Sequence, residues 1–230
     1  MRLFLLFSLL ASSLLLSGCA HQSQPPTLYQ LDQASPELPG DKAGRSVLLG
    51  PLQVADYLQR EVLVQRQGDN SLTLSTEARW AGSLSDDIGH LLLNQLADRL
   101  DSSRITLFPD QAGFEPEVQV LLDISRLDSG PQQPAVLEAR WRLLDGDRVL
   151  QASRVLRLSE HHDGTTASQI AAQSSLLRQL AGEITSDIRG LPQRSVSRHE
   201  RPAPTPSRPA VQSLPPIPEV RPSPAGVYRF

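Results

Sequence analysis

Cys19 is the residue whose chemistry its neighbours specify most sharply. Arg2 opens the chain with a positive charge, Leu3 to Leu16 is a nearly unbroken apolar run, and Ser17-Gly18 are the small residues that precede a cleavage. The run is too short, and ends too abruptly, to make a good membrane span. Leu16-Ser17-Gly18-Cys19 places a thiol at the cut point, where it can be alkylated with a diacylglyceryl group. A dedicated peptidase then frees the cysteine amine for a third acyl chain. One acyl chain holds a protein marginally, whereas two or more hold it durably. Cys19 is also the only cysteine, which excludes an intramolecular disulfide and a multi-cysteine metal site.

Other reactive side chains form no convincing constellation. His161 and His162 are adjacent, so in extended structure they point to opposite faces and make poor joint ligands; with Asp163-Gly164 after them they read as a solvated loop. His90 and His199 have no carboxylate cluster near them in sequence. Asp86 and Asp87 could pair as acid and base, but the start of a helix explains them better, since exposed backbone N–H groups there favour negative charge. The chain lacks a glycine-rich phosphate loop and a Gly-x-Ser-x-Gly elbow, and its only lysine is Lys42. Trp80 reads as a hydrophobic staple or a packed anchor before the first helix, and Arg79 can pair with Glu77. No catalytic residue, cofactor or metal is expected. An exported domain of this kind reads as a binding or structural part rather than an enzyme.

Composition divides the chain into four parts. Residues 1–18 are the lipoprotein signal peptide. Residues 19–44 carry the lipidated cysteine and a polar tether containing Pro25, Pro26, Pro36 and Pro39. Residues 45–190 are long enough for one ordinary domain with a core of its own. Residues 191–230 hold 10 prolines, six arginines and two glutamates, a composition expected to stay disordered because it buries too little apolar surface. The whole chain is formally −3; the last part contributes +4 and Arg2 another +1, which leaves −8 for Cys19 to Gly190. An acidic body argues against nucleic acid as its partner. Ala20 is not the aspartate that commonly retains such lipoproteins at the inner membrane of two-membrane bacteria. The expected place is therefore the outer membrane, lipid-anchored and facing the periplasm.

The body alternates between two periodicities. Val47 to Val54 is β-branched with Pro51 inside it, which predicts an edge strand or one broken by a bulge. Short strands are expected over Tyr57 to Gln65 and Leu72 to Ser75, around the turn Gly68-Asp69-Asn70. Ser83 or Ser85 can cap a helix in which Ile88, Leu92, Leu96 and Leu100 recur every four residues and which ends near Asp101. Ser103 to Phe108, Val118 to Ile124, Leu137 to Leu143 and Val149 to Leu158 read as strands, the last two joined by Asp145-Gly146-Asp147. A second helix runs from Thr166 to Ile188, with Ile170, Gln173, Leu177, Leu180, Ile184 and Ile188 on one side, and Gly190-Leu191-Pro192 ends it. The predicted fold is α+β: a two-layer sandwich with a mixed or antiparallel sheet of about six or seven strands, both amphipathic helices covering one face.

On these residues the chain resembles the PqiC/YmbA-like auxiliary lipoproteins of ABC-type transport systems. The marks are Thr27-Leu28-Tyr29-Gln30-Leu31, then Leu52 through Tyr57-Leu58-Gln59-Arg60 to Val64, and above all Glu77-Ala78-Arg79-Trp80-Ala81-Gly82-Ser83-Leu84 leading into the first helix. Leu107-Phe108-Pro109, Leu137-Glu138-Ala139-Arg140-Trp141 and Ala172-Gln173-Ser174 to Ile184 follow in the family's order, whose pattern more often has Glu-Pro at Gly82-Ser83. The resemblance does not cover the segment after Pro192. It implies a non-catalytic outer-membrane subunit of an intermembrane lipid-transport system, docked on the periplasmic tip of an assembly of MCE-domain proteins and supporting envelope integrity. Tyr57, Arg79 and Trp80 carry over as partner-interface residues or structural anchors. A homo-oligomer is the form that matches such a ring-shaped partner. The alternative is an outer-membrane lipoprotein that supports cell-wall or envelope assembly by binding a protein.

Overall fold

The computed structural model describes residues 25–192 apart from 35, 37, 38, 111 and 112. Cys19, the signal segment before it and the proline-rich segment from residue 193 onward lie outside the described residues. All described residues belong to the first of two units into which the chain divides, Met1–Gln193; the second is Arg194–Phe230.

The element order is β1 (Thr27–Tyr29), β2 (Val47–Val54), a 3₁₀ turn (Asp56–Leu58), β3 (Val62–Arg66), β4 (Leu72–Trp80), α1 (Leu84–Leu100), β5 (Ile105–Leu107), β6 (Val118–Gly130), β7 (Gln133–Asp145), β8 (Leu150–Glu160) and α2 (Thr166–Gly190). Eight strands form one mixed sheet with β6 at its centre. One flank of β6 takes β2 in parallel along Val118 to Ile124 and β3 in parallel at Ser129, while its other flank pairs antiparallel with β7, which pairs with β8. Beyond β3 come β4 and then β1, and beyond β2 comes β5. This is the α+β two-layer sandwich that the periodicities predict.

Each helix buries one stripe on the same face of the sheet. In α1, Ile88, Leu91, Leu92 and Leu96 are fully buried; in α2, so are Leu176, Leu177, Leu180, Ile184 and Ile188. The first helix packs on β2 and β5, the second on β7, β8 and β6, and the helices pack on each other. The caps follow the expected chemistry. Ser83, rather than Ser85, accepts a hydrogen bond from the Asp86 N–H, and Thr165 accepts one from the Ser168 N–H. No described helix is long and apolar enough to cross a membrane.

Three departures from the sequence expectations bear on function. Thr27–Tyr29 is not tether but a strand, paired in parallel with Ala78 to Trp80 of β4. The following residues are fixed too: Leu31 is in the core, the Asp32 N–H donates to Ser174 Oγ at 3.0 Å, and Arg178 pairs with the Asp32 carboxylate at 3.3 Å. The strand expected to stop at Ser75 runs on to Trp80, so Glu77 to Trp80 lie in the sheet and not in a helix-entry loop. The alternation from Tyr57 to Gln65 is split, with Tyr57 in the 3₁₀ turn and the strand starting at Val62. Of the two expectations for β2, the strand broken by a bulge is the one seen: β2 is interior, between β5 and β6, and its register shifts between Leu49 and Leu52 around Pro51.

Candidate partner-binding surface

An open cleft of about 1070 Å³ lies where β2, the 3₁₀ turn and the entrance to α1 meet. Leu52, Val54 and Asp56 form one wall, Gln59, Arg60 and Glu61 the base of the second, and Trp80 to Ser85 the third. These walls are positioned by ordinary backbone needs. The end of β4 is fixed at Trp80, whose N–H donates to the Glu61 carbonyl at 2.7 Å, and the Ala81 N–H donates to the Tyr29 carbonyl at 2.8 Å. The chain then turns into the Ser83 cap, leaving Gly82 facing open space.

The three residues expected as partner-interface residues or structural anchors are placed differently from one another. Trp80 is buried in the core, the position of a packed anchor, and also borders the cleft. Arg79 points the other way, exposed, with no ion pair to Glu77 or to any other described residue. Tyr57 is half-buried and lines, with Trp80, a small recess beside Leu63 and Leu84. Its hydroxyl donates to Asp128 Oδ2 at 2.8 Å and accepts from the Leu127 N–H at 3.3 Å.

That bond leads to a network that sequence inspection did not single out. Asp128 is 1% exposed, yet it is charged. Arg66 grips it with Nε at 2.9 Å and Nη2 at 2.6 Å, a two-pronged contact, and Arg126 Nε adds a third donor at 2.9 Å. Burial pushes the Asp128 carboxyl up; the bonds from Arg66 and Tyr57 and the nearby Arg126 charge outweigh it and hold the group below the usual carboxylate range. Burial, then the neighbouring Asp128 charge, pushes the Tyr57 phenol well above its ordinary value, so it stays a donor. On the opposite face of β6, Ser129 donates to Gln169 at 3.1 Å and accepts from Gln173 at 2.9 Å. These contacts brace β3, β6, the 3₁₀ turn and α2 against each other. The arrangement is a clamp, with its acceptors filled by guanidinium and phenol donors.

Two of the remaining sequence candidates, His162 and Asp163, have structural partners. His162 is half-buried: its Nε2 lies 2.9 Å from the Gln133 carbonyl and its Nδ1 3.1 Å from the Gly164 N–H, so the neutral ring with its proton on Nε2 satisfies both. Asp163 accepts from the Thr165 N–H and hydroxyl and from the Ser168 hydroxyl, which lowers its carboxyl to about 2 at the start of α2. Asp86 and Asp87 lie in the first turn of α1. Among the described residues no group of three His, Cys, Asp or Glu side chains is placed to hold a metal ion.

The architecture is that of a small α+β domain in which the charged cluster around Asp128 serves structure. Residues 29–185 match the family model for the ABC-type transport auxiliary lipoprotein component. The chain belongs to that family, as a non-catalytic component of ABC-type transport in the periplasmic and outer-membrane lipoprotein setting. No curated protein matches it in sequence. Among solved structures it is similar to an uncharacterised protein at 16% identity and a TM-score of 0.59, covering 72% of this chain and 99% of the other. It is similar also to protein XCC0632 from Xanthomonas campestris, at 16% identity and a TM-score of 0.58, covering 71% and 97%. Both likenesses show the fold. A PelC dodecamer from Paraburkholderia phytofirmans aligns at 13% identity and a TM-score of 0.41, covering 66% and 93%, too distant to bear on assembly here.

Proposed function

We propose that this chain is the outer-membrane lipoprotein subunit of an intermembrane lipid-transport system, anchored through lipid on Cys19 and docked on the periplasmic tip of an MCE-domain assembly. The observation that carries the reading is where the family's most distinctive segment falls. Glu77 to Leu84 runs from the end of β4 into α1, and its Trp80 to Leu84 line the open cleft. A segment needed only to enter a helix has no reason to border an open cleft of this size. The cleft is lined by polar and apolar groups together, among them Asp56, Arg60, Glu61 and Leu52, a mixture suited to a protein surface. The role is recognition and positioning; lipid passes through the partner assembly. A homo-oligomer facing a ring-shaped partner fits the same scheme.

A photo-crosslinking residue at Gly82 or Gln59, both on the cleft wall, tests the docking in cells. The expected adduct is with an MCE-domain protein, and it disappears when that partner is deleted. Adducts with cell-wall synthases and none with an MCE-domain protein would establish the envelope-assembly role instead.

A further inference from the structure

Leu28, Leu72 and Leu74 are 62%, 39% and 54% exposed. The sheet register puts all three on one side of the β1–β4–β3 ribbon. Gln65 reaches Gln169 of α2, so that side of β3 faces the helices, and Val64 and Arg66 face away from them. Residues directly opposite one another share a face, and Leu74 lies opposite Val64, Leu72 opposite Arg66. Past the irregularity in the pairing, Val62 lies opposite Arg79, and Arg79 opposite Leu28. The rest of this outer face carries the ion pairs Arg140–Asp123 and Arg157–Glu138 on β6 to β8, with Val155 and, at the start of β8, Leu150 as its exposed apolar side chains. The hairpin of β3 and β4 and the strand beside it gather three exposed leucines on one side.

The course of the chain says what covers it. Because β1 and β4 are parallel, the chain before Thr27 heads back along β4 toward the β3–β4 turn. Cys19 lies eight residues before Thr27, a distance that an extended chain spans with about 28 Å at most. We infer that the outer side of the β3–β4 hairpin, with Leu28, rests in the headgroup layer of the membrane that holds the Cys19 lipid. This rests on the reading of Cys19 as the lipid-bearing residue. Apolar side chains in that layer leave water at the acyl boundary. Arg79, beside Leu28 and free of any ion pair among the described residues, meets lipid phosphate at the rim. Glu77, exposed on the same strand, offsets that charge, so the contact is apolar first. Its consequence is orientation: a short tether and an apolar foot together fix which way the cleft faces.

The test uses the full lipidated protein in vesicles of phosphatidylethanolamine and phosphatidylglycerol, some bearing nitroxide on an acyl chain. With Cys19 blocked by its thioether, Leu74→Cys and Val155→Cys each carry a single free thiol for a fluorophore, both at exposed positions. The expected result is at least twofold stronger lipid quenching at position 74 than at 155. Equal, weak quenching at both sites in protein that floats with the vesicles overturns the inference and leaves the anchor intact. Pyrene excimers at position 74 without lipid quenching overturn it in favour of a second copy. Protein that fails to float removes the lipid-bearing reading of Cys19, and the inference with it.

Discussion

Tyr57 and Asp128, 71 positions apart in sequence, are joined by a 2.8 Å hydrogen bond that ties the 3₁₀ turn bordering the cleft to the central strand of the sheet. Tyr57→Phe removes the donor to Asp128 and leaves the Leu127 N–H without its acceptor. Arg66 and Arg126 still hold the carboxylate, so the loss is limited to about 1.5 kcal/mol. Urea denaturation at pH 7 reads it directly. A larger effect on cross-linking at Gln59 than on stability would show that the turn also shapes the cleft.

Asp128→Asn is more severe, because it leaves two guanidinium groups facing a neutral amide in a nearly closed site. The expected loss is about 3 kcal/mol. The sign of its pH dependence is fixed. The folded carboxyl lies below its reference value of 3.8, so it contributes stability that is complete above that value and lost as pH falls through the folded pKa. Urea midpoints of the wild type should therefore drop as pH falls below 3.8 and on through the folded pKa, and the difference between wild type and Asp128→Asn should shrink over the same interval. A difference that stays constant with pH would mean the charge of Asp128 is not what stabilises the clamp.

Gly130 marks where β6 passes β3. A Cβ there would stand 1.9 Å from the Arg66 carbonyl oxygen, a backbone atom that cannot swing aside. Gly130→Ala is expected to lose more than about 3 kcal/mol and to release the Arg66–Asp128 contact, as with other severe overpacking. Gly82→Ala is the matched control, since a Cβ at Gly82 meets nothing within 4 Å. Thermal melts of the two variants should differ by many degrees.

The helices and the central strands were legible because their information is local. Ile88 to Leu96 and Ile170 to Ile188 repeat with helical period, and Val118 to Ile124 alternates as a strand must. What escaped was set by distant residues. Thr27–Tyr29 is three residues long and acquires its structure by pairing with β4, 51 positions later. Thr76 and Glu77 look like the end of a strand until β1 and β3 are seen to continue the pairing on either side. Asp128 was hidden for the same reason: its donors Arg66 and Tyr57 are 62 and 71 positions away, and a lone aspartate at a strand end otherwise reads as a turn.

Cys19→Ser should accumulate as an unacylated precursor with its signal attached, because lipid attachment and the dedicated cleavage both need the thiol. Mass spectrometry of the membrane fraction distinguishes the two forms. Normal outer-membrane levels of a processed serine variant would show that another feature carries the anchor.

The last prediction concerns the proline-rich segment, which the family does not cover. The boundary for removing it is set by α2. The Arg45 guanidinium donates to the Leu191 carbonyl at 2.6 Å and Leu191 packs against the core, so a cut before Leu191 would damage the domain. Deleting Arg194–Phe230 spares both contacts. The deleted segment carries six arginines against two glutamates, while Cys19 to Gly190 carries a net −8. A polyproline-like chain of that length reaches on the order of 100 Å, far enough to meet an anionic surface beyond its own domain. The truncated protein should therefore melt within about 2 °C of the full chain, a shift below what 1 kcal/mol produces in a domain of this size. Its capture of an envelope partner should weaken at low salt and match the full chain at high salt, where the arginine contribution is screened. A large fall in melting temperature would mean the segment packs on the domain, and unchanged capture at low salt would mean it plays no part in binding.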